Sequence, residues 1–335
     1  MSINELLKNY GEAIHPPSYI IDTPPKVISV SPKIDIALGG GVPEGCLFIM
    51  TGPEKVGKTV HALQFAKNAQ NTLTDDGKKR VIIYGNVEGR LKKRDLEGIY
   101  GLDLSDEYFR IIGSTKGSIL TGEKYLEIFD KFIHGMPNCV EIIDSFSALA
   151  AEDELIGDIS DIQVAAMNRY ISKFTRRFAN VLPINKVTLV GITHLMANIQ
   201  RFGAGKTKTE KSGNALKYAQ DVKLWATHKE PLKRDKDSDV HIGQEVHWIV
   251  ENSALGAPGK KVTSYIKYGR GIWNELEIAE LAKDFGIIEG SKWYTIPDVK
   301  EKIQGIQNVA IYLEENPVKY EEIRKLVYTT LGFTS

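Results

Sequence analysis

Cysteine is nearly absent: the 335-residue chain contains only Cys46 and Cys139. Two thiols without metal-ligand spacing exclude a disulfide framework and a cysteine-based metal centre, and both read as buried thiols in a reducing compartment. Net charge is absent as well, 43 Lys and Arg cancelling 43 Asp and Glu. A uniformly basic surface is thereby excluded, but a local basic loop is not. No apolar run reaches the roughly 18 residues that a membrane helix requires. The opening MSINELLKNYGEAIHPP lacks the basic-then-apolar order of a secretory signal, so a cytoplasmic protein without a membrane partner is expected. Internal repeats and low-complexity tracts are missing too.

What is present is ordinary globular material, 42% hydrophobic and 26% charged, with a length that suggests about two domains. Residues Ile3 to Ala13 suit one short helix, and the four prolines between His15 and Pro25 limit regular structure, so this stretch reads as an arm. From Ser31 onward, strand-length apolar runs occur at Cys46–Met50, Val81–Tyr84, Val140–Ile143, Val187–Ile192 and Val222–Ala226. Helical periodicity fills the intervals, as in Val60–Ala69 and Ile162–Ala179. Buried strands alternating with helices predict an α/β fold with a mostly parallel sheet covered on both faces. Val246–Val250 and Val262–Tyr268 lack an intervening helix and predict an antiparallel extension. After Gly271 come short helical units at Glu275–Phe285, Ile303–Glu315 and Tyr320–Leu331, with Trp293 and Tyr294 between the first two. They predict a small separate helical domain.

The strand Cys46–Met50 runs into Gly52, Pro53, Glu54, Lys55, Val56, Gly57, Lys58 and Thr59, and an apolar-periodic helix follows. This is G-x-x-x-x-G-K-[ST] in its confirming context. Glycines let backbone amides curl around a phosphate, Lys58 supplies a point charge to the terminal phosphates, and the Thr59 hydroxyl can reach Mg2+. ATP with Mg2+ is the expected ligand.

In an open α/β sheet, ligands sit beyond the carboxyl ends of the strands. Asp144 and Ser145 close the strand starting at Val140, and Asp144 is placed to share the magnesium shell with Thr59. Otherwise it caps the next helix. Glu88 closes Val81–Val87 and suits a carboxylate that deprotonates an attacking water; the alternative is a surface Glu beside Arg90, Lys92, Lys93 and Arg94. His194 closes Val187–Ile192, where an imidazole could sense the γ-phosphate, although a histidine at a strand end is commonly a satisfied structural group.

The segment Met196–Lys217 carries Arg201, Lys206, Lys208, Lys211 and Lys217 against Glu210 alone, a local balance of +4. It reads as a long loop without secondary structure. Its cations suit phosphates and Phe202 suits base contacts, against the alternative of a solvated flexible loop. The earlier segment Ala151–Asp161 carries five acids and no base and reads as a loop that would repel nucleic acid.

Four stretches in this order resemble the RecA family of DNA recombinases: Lys33–Gly39, Gly52–Thr59, Ile142–Leu149 and Ser212–Tyr218. Tyr268–Ile272 and the helices after it are similar to the bacterial family's junction into its C-terminal domain. Single motifs of this set occur in many ATPases, but the ordered set is specific and covers roughly residues 31 to 330. The resemblance implies a RecA-like P-loop ATPase core at residues 31–268, an N-terminal oligomerisation arm at 1–30 and a small C-terminal domain at 269–335. It implies a DNA-dependent ATPase that forms helical filaments of itself on single-stranded DNA and pairs it with homologous duplex DNA, with single-strand-binding and loader proteins as possible partners. Glu88 is implied as the catalytic carboxylate, and the DNA-binding segment is implied to include Arg201, Phe202, Lys206, Lys208, Lys211, Gly213 and Asn214. Bacterial members carry Gln where His194 stands; a histidine is similar to the T4-type, UvsX-like phage recombinases, which would place the protein in a host cytoplasm. The segment Val250–Ser253 lacks the two lysines by which bacterial relatives reach a neighbour's ATP, with Lys260 and Lys261 following nearby. An ATP-clamped recombination mediator and a helicase on the same core remain alternatives.

Overall fold

A computed structural model of the chain describes residues 3–156, 166–197, 208–210, 213–234 and 239–333. The central sheet comprises β1 (Leu47–Gly52), β2 (Ile82–Asn86), β3 (Phe109–Ile112), β4 (Val140–Asp144), β5 (Thr188–Ala197), β6 (Lys208–Glu210), β7 (Val222–Lys233), β8 (His241–Asn252), β9 (Lys261–Lys267) and β10 (Gly271–Ile272). Their order is β10-β9-β8-β7-β1-β5-β4-β2-β3, with β6 antiparallel to the end of β5. The strands from β7 through β1 to β3 are mutually parallel, and β8, β9 and β10 extend the sheet antiparallel. The expected α/β architecture is therefore present.

The helices of seven or more residues among those described are α1 (Ile3–Tyr10), α2 (Pro32–Leu38), α3 (Lys58–Asn71), α4 (Gly122–Gly135), α5 (Ala166–Phe178), α6 (Gly213–Ala219), α7 (Asn274–Asp284), α8 (Ile306–Glu315) and α9 (Pro317–Thr330). Alternation along each strand feeds two cores, because successive side chains point to opposite faces. Phe48, Met50, Tyr84, Ile142 and Val190 pack with Leu63, Phe65 and Ala66 of α3. Leu47, Ile49, Ile83, Ile143 and Leu189 pack with Phe129 of α4 and Phe174 and Phe178 of α5. Each such large side chain, fully buried, contributes about 1.5–3 kcal/mol. No described helix is long and apolar enough to cross a membrane.

Several local expectations change. Glu152–Ile156 is a short helix rather than loop, consistent with acids in its first turn, where the helix dipole favours them. The segment after His194 is not devoid of regular structure: Lys208–Glu210 pairs with Leu195–Ala197, and α6 starts at Gly213. Trp293 and Tyr294 lie in a small sheet of Glu289–Gly290, Trp293–Thr295 and Ile303–Gln304, so the C-terminal region is not purely helical. The second of the three expected helical units starts later than its apolar pattern, at Ile306, because Gly305 takes a left-handed φ of 83° that turns the chain out of the strand, and the third starts earlier, at Pro317.

Two polar features cross these layers. Arg80 is fully buried, pairs with buried Glu44, and donates to the carbonyls of Thr72 (3.0 Å) and Asn138 (3.2 Å). Lys186 Nζ lies 3.5 Å from the other oxygen of Glu44. A buried seam also joins α2, α3, β9 and α7. Asp35 accepts from Ser29 Oγ (2.5 Å), the Val30 amide (2.8 Å) and Tyr328 OH (3.3 Å). Glu277 accepts from the amides of Lys33 (2.9 Å) and Tyr265 (3.3 Å), and its Oε1 lies 2.7 Å from Ser264 Oγ. Ser264 Oγ in turn lies 3.0 Å from His61 Nε2, while His61 Nδ1 donates to the Gly57 carbonyl at 2.9 Å.

Candidate active site

β1 lies near the middle of the sheet with β5 and β7 on either side, so its carboxyl end opens at a crevice between parallel strands. Gly52 is in register with His194, and the chain then loops into α3. Glycine is required at both ends of the loop. A Cβ on Gly52 would meet the Ala226 carbonyl at 2.7 Å, and one on Gly57, whose φ is 106°, would meet Ile266 Cδ1 at 2.6 Å. The loop's far side is tied to the antiparallel extension, where Gln244 Nε2 donates to the Val56 carbonyl at 3.2 Å.

Lys58 is buried at the first turn of α3 and donates to the carbonyls of Gly52 (2.8 Å) and Pro53 (2.6 Å). Burial lowers its pKa to about 8, opposed by the charges of Asp144 and Glu88, so it stays cationic at neutral pH. Its ammonium also lies 3.3 Å from His194 Nδ1. The Thr59 hydroxyl donates to Asp144 Oδ2 at 2.8 Å, and Tyr84 OH donates to the same oxygen at 2.6 Å. Burial raises the Asp144 pKa, against these two hydrogen bonds.

The β2 and β4 ends are in register at Asn86 and Asp144, and the amides of Val87 (3.0 Å) and Glu88 (3.3 Å) donate to the Asp144 carbonyl. This anchors Glu88 directly beyond β4. Its Oε1 accepts from Ser145 Oγ at 2.8 Å and lies 2.8 Å from His194 Nε2, while Oε2 lies 3.4 Å from Arg90. The His194 hydrogen bond is the chief cause that holds its pKa down at about 2, with help from Ser145 and Arg90 and against burial. Because an ammonium can only donate, His194 Nδ1 is the acceptor and Nε2–H donates to Glu88; the partners assign the tautomer. The His194 amide is fixed by Ser147 Oγ at 2.8 Å. Lys58, His194, Glu88 and Ser145 thus form one continuous row.

The structure brings together Gly52–Thr59, Glu88, Asp144, Ser145 and His194. Glu54 and Lys55 point outward at the loop tip, and Val56 is buried. Of the expected DNA-contact residues, Arg201, Phe202, Lys206 and Lys211 lie outside the described residues; Lys208 is in β6, and Gly213 and Asn214 open α6. The sequence reading missed Tyr84, Ser147 and Gln244. Tyr84 carried a signal, a hydroxyl near the carboxyl end of an otherwise apolar strand. Gln244 had none, since its strand meets the loop only in three dimensions.

The residues suit a magnesium-bound nucleoside triphosphate: a glycine-bounded loop packed too closely against the neighbouring strands to admit a Cβ at Gly52 or Gly57, a cation resting on the loop's own carbonyls, and adjacent hydroxyl and carboxylate oxygens of the type hard cations prefer. Fold and loop together define the class, an α/β P-loop protein. The RecA N-terminal domain family matches residues 25–273. Protein RecA of Pseudarthrobacter chlorophenolicus is 30% identical over 329 residues, covering 96% of this chain and 85% of that protein. Protein RecA of Saccharopolyspora erythraea is 32% identical over 308 residues (90% and 82%), and that of Corynebacterium aurimucosum 31% over 321 residues (93% and 78%). The chain belongs to the RecA family of recombinases, whose members are DNA-dependent ATPases that use ATP and Mg2+.

Proposed function

We propose that this chain is itself an ATP-dependent recombinase that polymerises on single-stranded DNA and exchanges strands with a homologous duplex. The observation that carries this reading is the row Lys58–His194–Glu88, with separations of 3.3 and 2.8 Å, at the root of the strand that leads into the basic segment. Gly52–Thr59 bind the triphosphate, with Lys58 leaving its two carbonyls for the terminal phosphates. Thr59 and Asp144 would hold Mg2+, which neutralises phosphate charge when bound. Glu88 is ionised at neutral pH, so it can accept a proton from the attacking water once it yields one of its present donors. His194 touches both Lys58 and Glu88; a γ-phosphate that draws Lys58 away changes the imidazole's partners and so the start of the segment carrying Arg201, Phe202, Lys206, Lys208, Lys211, Gly213 and Asn214, which contacts DNA in this reading.

The same reading makes residues 1–30 an arm for self-association, 31–268 the ATPase core and 269–335 a C-terminal domain. In support of the arm, α1 has no buried residue and leaves Ile3, Leu7 and Tyr10 exposed. His194 supports a place among UvsX-like phage recombinases, working in a host cytoplasm.

The test combines ATPase rates, microscopy and strand exchange. Single-stranded DNA stimulates hydrolysis, electron microscopy with ATP and single-stranded DNA shows helical filaments, and a labelled strand moves into a homologous duplex. Equal hydrolysis with and without DNA would overturn the reading. So would closed rings, the helicase outcome, or DNA binding without exchange, the mediator outcome.

A further inference from the structure

We propose that His228, Glu230 and His247 form a binding site for one Zn2+ ion on the antiparallel extension of the sheet, apart from the phosphate loop. In the antiparallel pair β7–β8, His228 and His247 stand directly opposite each other, and Glu230 lies two residues along β7 on the same face. The imidazoles are stacked, with centroids 4.2 Å apart and planes 12° from parallel. Glu230 Oε1 lies 3.6 Å from His228 Nε2 and 4.0 Å from His247 Nε2, and all three atoms fall within 4.8 Å of one another. The separations from Glu230 are too long for hydrogen bonds. Among the described residues this is the one group of three or more His, Cys, Asp or Glu side chains so arranged.

Hydrogen-bond accounting shows which nitrogens are free. The Thr227 hydroxyl has one proton and gives it to the His247 carbonyl at 3.1 Å. Its 2.9 Å contact with His228 Nδ1 must then be N–H to oxygen, which leaves the neutral ring's lone pair on Nε2. His247 Nδ1 is engaged by Thr263 Oγ1 at 3.0 Å, and its Nε2 is buried with no partner at all. An orphaned buried polar atom is costly, and a cation is one group that answers it. A ligating imidazole is ordinarily oriented by an oxygen that accepts from its remote N–H, a role that the Thr227 and Thr263 hydroxyl oxygens can fill here.

Two imidazoles and one carboxylate match zinc rather than magnesium or calcium, which prefer oxygen throughout. Ligand bonds of about 2.0–2.1 Å need the three atoms to close by only about 1 Å or less at the Glu230 contacts. The rings achieve this by turning out of their stack, which leaves the strand register intact. His228 and Glu230 are exposed, so water completes the shell. Glu245, paired with Glu230 across the strands, adds negative potential beside the site. The bound ion would staple β7 to β8.

The test uses the nucleotide-free full chain at neutral pH. Calorimetric titration with ZnCl2 should show one ion per chain, and millimolar Mg2+ should leave that binding unchanged. His228→Gln and Glu230→Gln, both at exposed positions, should each weaken it at least about tenfold, and Zn2+ should raise the Tm of the wild type but not of the variants. Absence of stoichiometric binding, equal binding by the variants, or displacement by Mg2+ would each overturn the proposal. Circular dichroism establishes that the variants are folded.

Discussion

Glu88 and Glu277 are carboxylates in hydrogen-bonded clusters of similar size, yet the two clusters set their protons in opposite directions. At the phosphate loop, His194, Ser145 and Arg90 hold Glu88 down at about 2, and Lys58, though lowered to about 8 by burial, remains cationic. In the seam between α2, α3 and α7, burial pushes Glu277 up, raises Asp35 to about 7 and lowers His61 to about 4. The difference follows from surroundings. Around Glu88 the loop cluster opens toward solvent and contains cations, so charge persists there and is available to a ligand, whereas burial raises Asp144 deeper in the same cluster. The seam is closed, its donors to the two acids are amides and hydroxyls, and charge is suppressed. Large pKa perturbation is thus no marker of an active site by itself; the useful sign is a perturbation that preserves charge at an opening.

One isosteric change probes both regions. Glu88→Gln should reduce ATP turnover by about 10²–10⁴-fold while nucleotide binding is retained, as expected when a general base loses its basicity. Steady-state hydrolysis and binding of a fluorescent nucleotide check this, and turnover within a factor of a few would break the contrast. At Glu277 the same change to Gln should cost about 1–3 kcal/mol, because the new NH2 cannot accept from one of the two amides of Lys33 and Tyr265, whereas Glu277→Leu, which orphans both amides and a hydroxyl, should cost about 3 kcal/mol or more. Urea unfolding measures both, and a Gln variant as stable as wild type would refute this hydrogen-bonding arrangement.

Asp35 supplies a pH test of the closed region. Its folded pKa of about 7 exceeds the ordinary 3.8, so the folded state holds a proton that the unfolded state has lost. The stability this contributes is present below about pH 4 and falls as pH rises toward 7. Asp35→Asn cannot lose that proton. Its stability deficit relative to wild type should narrow by about 2 kcal/mol between pH 5 and 7 and then level off. A gap independent of pH would refute the suppressed-charge description. The smallest effect belongs to Tyr84→Phe, which removes one of two hydroxyls on Asp144 Oδ2 and should cost about 1 kcal/mol in thermal or urea unfolding, Thr59 keeping the carboxylate in place. A much larger loss would mean that the loop cluster is as closed as the seam.

The phosphate loop was legible because its chemistry is local: eight consecutive residues between a strand and a helix carry it. Glu88, Asp144 and His194 were legible at one remove, as polar residues closing apolar strands, and the parallel sheet then brought them together. Gln244 and the seam were not, because His61 lies 203 positions before Ser264, which is itself on a different element from Glu277, and each looks unremarkable in its own element. The edge strand Phe109–Ile112 escaped notice because it is short and half-exposed, with Arg110 breaking the apolar run. The three-residue strand β6 after His194 leaves no periodicity in the sequence, because it exists by pairing with the end of β5.

The pair Arg80–Glu44 bears on how this sequence can drift. Removing Arg80 first leaves Glu44 with Lys186, 3.5 Å away and partly solvated. Removing Glu44 first leaves Arg80 enclosed with two carbonyls and no counter-charge. Substitution paths through these two positions are therefore directional: lineages should reach an apolar pair by way of an altered Arg80 far more often than by way of an altered Glu44.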